Sequence, residues 1–283
     1  MAIKNVFVIG AGTMGNGIAQ VSAQAGYNVT MSDVKDEFIQ KGMAAIEKSL
    51  DRGVKKGTMQ ESEKKAIIAH VKTTLNMKDA AAADLVIEAA PEVLDLKISI
   101  FKQLDEICQP GAIMATNTSS LPIGAIAAST KRPEKVIGIH FMNPVPVMKG
   151  VEVIPGRRTA ADVLEASKEY VKKIGKEPCE ARDYAGFIVS RLVDALMNEA
   201  FYCVMDGNKP EEVDKAVKLC LNHPMGPLEL CDLAGADIVM HGLETMYEEF
   251  GERLMPAPLL RNMVRSGDLG RKTGRGFYDY TQK

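Results

Sequence analysis

The stretch that decides the fold runs from Lys4 to Gly15 and reads Lys-Asn-Val-Phe-Val-Ile-Gly-Ala-Gly-Thr-Met-Gly. Its apolar run ends at Ile9 and is typical of a buried parallel strand. Gly10, Gly12 and Gly15 then follow the spacing G-x-G-x-x-G. These glycines would allow a tight turn, a close approach of a pyrophosphate to the backbone, and close packing of the following helix.

A helix and a second strand complete the pattern. The helix starts inside the glycine motif, so Thr13 and Met14 would lie at its positive N-terminal end, facing the phosphates. The strand over Asn28 to Ser32 delivers Asp33, 18 residues beyond Gly15. A carboxylate there accepts hydrogen bonds from a ribose 2′-hydroxyl and repels a 2′-phosphate, which predicts NAD rather than NADP. FAD and a glycine-rich turn of some other α/β unit are the minor alternatives.

Length and composition narrow the class of protein. A chain of 283 residues predicts one larger domain and a smaller one. A formal charge of −2 gives no basic field, which argues against a nucleic-acid binder. No run of 18 uncharged apolar residues is present, so we expect no membrane span. Because the first strand begins almost at Met1, we expect no cleaved signal peptide.

The cysteines indicate the compartment. Their number is five, and none lies in a C-x-x-C pair. This pattern is typical of reduced, mostly buried thiols in a cytoplasmic protein, rather than of a disulfide framework or a zinc site.

The segment after Asp33 has helical spacing. It predicts one helix to about Gly53 and a second from about Ser62 to His70, joined by a basic bend. Solvated lysines are the ordinary explanation of such a bend, and a second phosphorylated ligand is the alternative in a dinucleotide-binding protein. Strand-like and helical segments then alternate to Ala181, which predicts an α/β fold: a Rossmann-type, doubly wound, mostly parallel sheet with an inserted helical pair. The last two strands are candidates for an antiparallel edge.

Beyond Asp183 to Gly186 the alternation stops. We therefore predict an NAD-binding domain over residues 1–184 and an all-α C-terminal domain for substrate binding and dimerisation over residues 185–283. The helix over Phe187 to Met205 has apolar residues on nearly every side, which favours a homodimer.

Polar side chains follow the predicted strands, and ligands of open α/β sheets gather beyond strand ends. His140 ends one strand, and Glu152, 12 residues on, lies in the next strand and could return beside the imidazole. Oxidation of a secondary alcohol by a nicotinamide needs a base for the hydroxyl proton and donors that polarise the oxygen. His140 fits the first role, and Ser119 the second. A helix-capping turn explains the serines and threonines around Ser119 equally well.

Five motifs in order resemble those of the 3-hydroxyacyl-CoA dehydrogenases, and most nearly the bacterial 3-hydroxybutyryl-CoA type. The likeness covers essentially the whole chain. The motifs are Gly10-Ala-Gly-Thr-Met-Gly15, Asn117-Thr-Ser-Ser120, His140-Phe-Met-Asn-Pro-Val-Pro-Val-Met-Lys149, Pro224-Met-Gly-Pro227 and Gly270-Arg-Lys-Thr-Gly-Arg-Gly-Phe-Tyr278.

The resemblance implies a reaction and the residues that carry it. An L-3-hydroxyacyl-CoA, such as 3-hydroxybutyryl-CoA, would be oxidised reversibly by NAD to the 3-ketoacyl-CoA, here acetoacetyl-CoA. His140 would be the acid/base and Glu152 its partner. Ser119 and Asn143 would lie near the reacting oxygen and the nicotinamide.

Further positions match ligand contacts of the family. By resemblance, Glu92, Lys97 and Lys272 would contact the cofactor. Ser49 and Lys56, on the inserted helical pair, would hold coenzyme A. This assignment gives the basic bend its second phosphorylated ligand.

One position departs from the family pattern. After Gly186-Phe-Ile-Val the family usually has an asparagine that hydrogen-bonds at the substrate site, whereas this chain has Ser190. Serine is shorter, so a direct contact could become water-mediated. Loss of such a hydrogen bond would cost about 1–3 kcal/mol.

Two other functions remain as alternatives. A β-hydroxyacid dehydrogenase of the 3-hydroxyisobutyrate or 6-phosphogluconate type shares the glycine fingerprint, but acts on a free acid with a lysine in its helical domain. A non-catalytic NAD-binding protein, like the λ-crystallins that resemble this family, is the second. His140 and Glu152 argue against both.

Overall fold

A computed structural model describes residues 3–281 of the chain. The chain divides into two compact units. The first comprises Met1–Thr118 and Pro122–Asp183, and the second comprises Ser119–Leu121 and Tyr184–Lys283.

The first unit is built on a single sheet. Its strands are β1 (Asn5–Ile9), β2 (Asn28–Ser32), β3 (Val71–Thr74), β4 (Leu85–Glu88), β5 (Ile113–Thr116), β6 (Val136–Phe141), β7 (Gly150–Pro155) and β8 (Glu177–Glu180). They lie in the order β3-β2-β1-β4-β5-β6-β7-β8. All neighbours from β3 to β6 pair in parallel, β6 and β7 pair antiparallel, and β7 and β8 pair in parallel. The last two strands therefore run opposite to the other six.

Helices flank this sheet. They are α1 (Thr13–Gln24), α2 (Asp36–Lys55), α3 (Glu61–Ala69), α4 (Leu94–Ile107), α5 (Ile123–Ala128) and α6 (Ala161–Lys173), with 3-10 turns at Met77–Ala82 and Pro133–Lys135. The central strands are apolar on both faces, and side chains such as Val8, Ile87 and Ile139 are fully buried between sheet and helices. Burial on both faces is what parallel strands require.

The second unit is helical. Its helices are α7 (Val189–Met205), α8 (Pro210–Cys220), α9 (Pro227–Ala234), α10 (Ala236–Phe250) and α11 (Pro258–Ser266), with a 3-10 turn at Gly251–Leu254. Its separate core includes the fully buried Phe201, Leu228 and Leu243. Among residues 3–281, no helix has the length and apolar character needed to cross a bilayer.

The predicted fold class is confirmed: a mostly parallel Rossmann-type sheet, a helical pair between β2 and β3, and a following all-α segment. One prediction about the cysteines is wrong. Only Cys108 and Cys231 are buried, whereas Cys179 and Cys220 are exposed. Cys179 lies in β8 at the edge of the sheet, and Cys220 ends α8, so packing covers neither. Burial raises the pKa of the Cys108 thiol to about 11.

Candidate active site

The glycine turn between β1 and α1 leaves its middle residue open. A Cβ atom on Gly12 would meet no other part of the described chain within 4 Å, so a ligand can approach this backbone. A Cβ atom on Gly15 would lie 1.8 Å from the carbonyl oxygen of Gly10, so only glycine lets α1 pack this close. Thr13 and Met14 form the first turn of α1, where backbone amides and the helix dipole attract anions.

Asp33 directly follows β2, and two backbone amides hold its carboxylate. Oδ2 accepts from the amide of Ala11 at 2.8 Å, and Oδ1 accepts from the amide of Val34 at 2.7 Å. The half-buried carboxylate therefore stands beside the glycine turn. Its charge would repel a 2′-phosphate, while its oxygens can accept from ribose hydroxyls. Turn and carboxylate together fit the adenosine half of NAD.

A buried ion pair lies at the ends of β4 and β5. Lys97 Nζ donates to Glu88 Oε1 at 2.7 Å, and both side chains are buried. Glu88 also accepts from Thr116 Oγ1 at 2.6 Å and from the amide of Ala90 at 2.7 Å. These bonds join α4 to the ends of β4 and β5. Loss of either charged partner would leave a buried charge unpaired.

Glu92 is linked to this ion pair. Its Oε2 lies 3.4 Å from Lys97 Nζ, and its Oε1 accepts from Thr118 Oγ1 at 2.5 Å. Lys97 is 1% exposed, whereas a quarter of the Glu92 side chain is exposed. Of these two predicted cofactor contacts, Glu92 is therefore accessible to a ligand, whereas Lys97 is buried and pairs with Glu92. A direct contact of Lys97 with the cofactor stays a prediction.

His140 and Glu152 are directly opposite each other in the antiparallel pair of β6 and β7. Nδ1 of the imidazole lies 2.7 Å from Oε2 of the carboxylate, and both residues are buried. Opposite residues of paired strands project to the same face, which explains how 12 residues of intervening chain return the carboxylate to the ring. The carboxylate favours the tautomer with the proton on Nδ1, so Nε2 is the basic nitrogen.

Two asparagines frame the end of β6. Asn117 follows β5, and its Oδ1 accepts from the amide of Phe141 at 2.8 Å, which ties β5 to the residue after His140. Asn143 is exposed and precedes Pro144 through a cis peptide bond. Ser119, by contrast, begins the short segment that belongs to the second unit, and it is half-buried there.

The second unit carries two other predicted contacts. Ser190 is the second residue of α7 and is half-buried. Lys272 pairs with Asp237 of α10, with Nζ 2.6 Å from Oδ2. The segment after Lys272 is anchored by Asp232, whose carboxylate accepts from two backbone amides at 3.0 Å each, those of Phe277 and Tyr278.

The inserted helical pair presents the predicted coenzyme A contacts. Lys56 caps the C-terminal end of α2 and is exposed, and Ser49 lies within α2 and is half-buried. Lys64 of α3 pairs with Asp51 of α2, with 2.5 Å between Nζ and Oδ1. This ion pair joins the two helices close to the bend that contains Lys56.

Two residues that support the site through hydrogen bonds were not predicted from the sequence. Asn117 lies inside a quoted motif, yet its bond to Phe141 joins residues 24 apart. Lys176 donates to the carbonyl oxygens of Val145 and Met148, about 30 residues upstream. No local sequence pattern predicts either contact. The position of Asn117 at a strand end was the one feature of the sequence that pointed to it.

Comparison with known proteins covers both units. The family model for the 3-hydroxyacyl-CoA dehydrogenase NAD binding domain matches residues 5–184. The model for the C-terminal domain of 3-hydroxyacyl-CoA dehydrogenase matches residues 186–280.

Individual relatives match along their full length. The chain is 47% identical over 285 residues to a probable 3-hydroxybutyryl-CoA dehydrogenase of Bacillus subtilis, covering 100% of this chain and 99% of the relative. It is 47% identical over 277 residues to a 3-hydroxybutyryl-CoA dehydrogenase of Clostridioides difficile, covering 97% and 99%. The crystal structure of (S)-3-hydroxybutyryl-CoA dehydrogenase from Ralstonia eutropha superposes with a TM-score of 0.95 at 45% identity, covering 99% and 100% of the two chains.

Proposed function

The chain belongs to the 3-hydroxyacyl-CoA dehydrogenase family and is an NAD-dependent oxidoreductase, and we propose that it interconverts L-3-hydroxybutyryl-CoA and acetoacetyl-CoA with His140 as acid/base. The observation that carries this proposal is the 2.7 Å contact between His140 Nδ1 and Glu152 Oε2. The relatives from Bacillus subtilis and Clostridioides difficile, both named for 3-hydroxybutyryl-CoA, support the four-carbon acyl group.

The cofactor is NAD. The open backbone at Gly12, the start of α1 and the carboxylate of Asp33 are the features of this chain that would hold it. When bound, its nicotinamide supplies the hydride acceptor for oxidation and the hydride donor for reduction. Glu92, on its support of Lys97 and Thr118, is assigned to the same ligand, and so is Lys272.

His140 moves the proton. In oxidation, Nε2 takes the proton of the substrate hydroxyl, and Glu152 stabilises the imidazolium that forms. In reduction, the imidazolium returns this proton to the oxygen of the new hydroxyl. Because His140 and Glu152 are buried, solvent screens their attraction less than it would at the surface. General acid/base catalysis of this kind contributes about 10²–10⁴-fold to a rate.

Ser119 and Asn143 are assigned to the substrate oxygen. A hydroxyl and a carboxamide can both donate to a carbonyl oxygen as it gains negative charge. Asn117 is a supporting residue, because its side-chain oxygen accepts from the amide of Phe141, which lies between His140 and Asn143.

Ser49 and Lys56 are assigned to coenzyme A. A phosphate needs a local cation in a chain whose formal charge is −2, and Lys56 is exposed at the bend of the helical pair. The ion pair of Lys64 with Asp51 joins the two helices on either side of this bend. Ser190 takes the place of the family's asparagine near the substrate.

We also propose that the second unit mediates a homodimer. Large apolar side chains are exposed on its helices, with Leu192 67%, Leu219 74% and Ile238 61% exposed. Apolar side chains of this size mark an interaction surface where they form one contiguous patch, and a dimer interface over these helices would remove them from water. The free cysteines, of which Cys179 and Cys220 are exposed, support a reducing compartment and hence a cytoplasmic location.

The proposal is tested by substrate comparison. Oxidation of NADH by the purified chain is followed with acetoacetyl-CoA and, in parallel, with free acetoacetate. We expect kcat/KM to be at least about 100-fold higher with the thioester, because coenzyme A contributes binding energy that the free acid lacks. A preference for free acetoacetate would indicate a β-hydroxyacid dehydrogenase, and NADH binding without oxidation of NADH by either compound would indicate a non-catalytic protein.

A further inference from the structure

Lys176 lies between α6 and β8, and its backbone is fixed on both sides. The amide of Gly175 donates to the carbonyl of Lys172 at 2.9 Å, and the amide of Lys176 donates to the carbonyl of Val171 at 3.1 Å. This pattern ends α6 in the manner of a Schellman motif. The next residue, Glu177, begins β8 beside the start of β7. The Lys176 side chain therefore lies against the connection between β6 and β7.

That connection contains a tight turn, here called the 144–148 turn. The amides of Val147 and Met148 both donate to the carbonyl of Pro144, at 2.9 and 3.1 Å. Lys176 Nζ donates to the carbonyl oxygens of Val145 and Met148, each at 2.6 Å. One ammonium group thus bridges the beginning and the end of the turn.

The opposite side of the turn rests on α1. Val145 is 2% exposed, and a Cβ atom placed on Gly17 of α1 would lie 2.7 Å from the Cβ atom of Val145. Gly17 therefore permits a contact that no other residue at its position would allow without movement. The 144–148 turn is held between the helix of the dinucleotide motif and the ammonium group of Lys176.

The chemistry of this contact favours a geometric role. Lys176 is 7% exposed, and burial lowers the pKa of its ammonium group. Both of the acceptors described above are backbone carbonyls rather than carboxylates. Removing an ammonium group from water is costly, so a buried charge of this kind is weak evidence for a role in stability. What the ammonium adds is a fixed distance between two carbonyl groups of the turn.

We propose that Lys176 is a positioning residue for the reaction: by bridging Val145 and Met148, it holds the 144–148 turn against α1 and so keeps Asn143 in place. This inference rests on the proposed function, which assigns Asn143 to the substrate oxygen. His140 lies three residues before Asn143, on the strand that leads into the turn. Lys176 itself touches backbone, so it acts through the turn.

The test is Lys176→Met, which keeps the length of the side chain and removes the charge. We expect kcat for acetoacetyl-CoA reduction to fall about tenfold, because small displacements of orienting groups are costly in rate. The Kd for NADH and the KM for acetoacetyl-CoA should each change less than about twofold, since Lys176 touches backbone and the expected displacement alters how Asn143 is oriented towards the reacting oxygen. Lys172→Met, at an exposed lysine near the end of α6, is the matched control and should leave every constant unchanged.

Two further readouts separate positioning from mere stability. The kcat is expressed per NADH-binding site, so a loss of folded protein does not count as a loss of rate. Hydrogen exchange at the amides of Val147 and Met148 should be faster in Lys176→Met.

Lys176→Arg is the second variant, for use if Lys176→Met does not fold. It keeps the charge, but its planar guanidinium has its donors at other positions than the compact ammonium group and is expected to fit the two carbonyls less well. We expect an intermediate kcat for it.

A kcat per NADH-binding site within about twofold of wild type, in whichever of these variants folds, would overturn the inference. So would wild-type exchange rates at the two turn amides. If the unmodified chain fails to reduce acetoacetyl-CoA, the proposed function is wrong, and hydrogen exchange still reports whether Lys176 holds the turn.

Discussion

Ser190 stands where the resemblance to the family implies an asparagine, and it occupies the first turn of α7. Replacing it by asparagine restores a carboxamide with two donors and an acceptor. We expect Ser190→Asn to raise kcat/KM for acetoacetyl-CoA by about tenfold, which corresponds to about 1.4 kcal/mol of added transition-state stabilisation. Steady-state kinetics measures this change, and NADH affinity serves as the control. An unchanged or lower kcat/KM would mean that the serine already fills the role.

Asp194 is a buried acid outside the candidate active site. It lies on α7 and faces Gly242 of α10, on which a Cβ atom would lie 2.6 Å from the Asp194 carboxylate. Burial raises its pKa from 3.8 to about 7. Between these two pH values the folded chain keeps a proton that the unfolded chain releases. Stability therefore falls as the pH rises from about 4 to about 7, through this group alone.

The substitution Asp194→Asn removes that pH dependence while keeping the size of the side chain. We expect the free energy of unfolding of the variant, relative to wild type, to increase by about 2 kcal/mol between about pH 5 and about pH 8. Urea unfolding at the two pH values measures the difference. An equal difference at both pH values would mean that the Asp194 carboxyl is not kept neutral by burial.

The helical pair of α2 and α3 is the element that we assign to coenzyme A. The variant Lys56→Glu reverses a charge at its exposed bend. We expect KM for acetoacetyl-CoA to rise about tenfold, with kcat and the Kd for NADH nearly unchanged, because a phosphate contact contributes to binding rather than to chemistry. Lys102→Glu, an equal charge change at an exposed site on α4, is the control. Equal effects of the two variants would show a general charge effect and would remove the assignment.

Secondary structure was largely predictable from the sequence. The glycine motif, the apolar strand segments and the helical spacing predicted β1, α1 and β2, and also the helical pair before β3, with ends within a few residues. These features depend on local periodicity and turn chemistry, which a single sequence contains. The antiparallel return of β7 was also anticipated, and it is this return that brings Glu152 to His140.

The supports of the site were not predictable in the same way. Lys97 matched a cofactor contact, yet it is buried and bonded to Glu88 of β4. Lys176 showed no pattern at all, although it bridges Val145 and Met148. In both cases a charged side chain is satisfied by atoms distant in sequence, and hydropathy assigns such a residue to the surface.

At the scale of the whole molecule, the exposed apolar side chains of the second unit predict self-association. We expect the chain to sediment as a homodimer, and Leu192→Asp to shift it towards monomer, because a charge at an apolar interface is not paired. Analytical ultracentrifugation measures both states, and Lys215→Asp, at an exposed polar position on α8, is the control. A monomeric wild-type chain would contradict this prediction.

The proposed catalysis depends on an imidazole, oriented by a buried carboxylate, that exchanges a proton with the substrate oxygen. The most direct measurement is the turnover of His140→Ala with acetoacetyl-CoA and NADH, together with its NADH affinity. We expect kcat to fall by about 10²–10⁴-fold while the Kd for NADH stays within about twofold of wild type. A variant that binds NADH normally and keeps a substantial fraction of wild-type turnover would contradict the assignment of His140 as the acid/base.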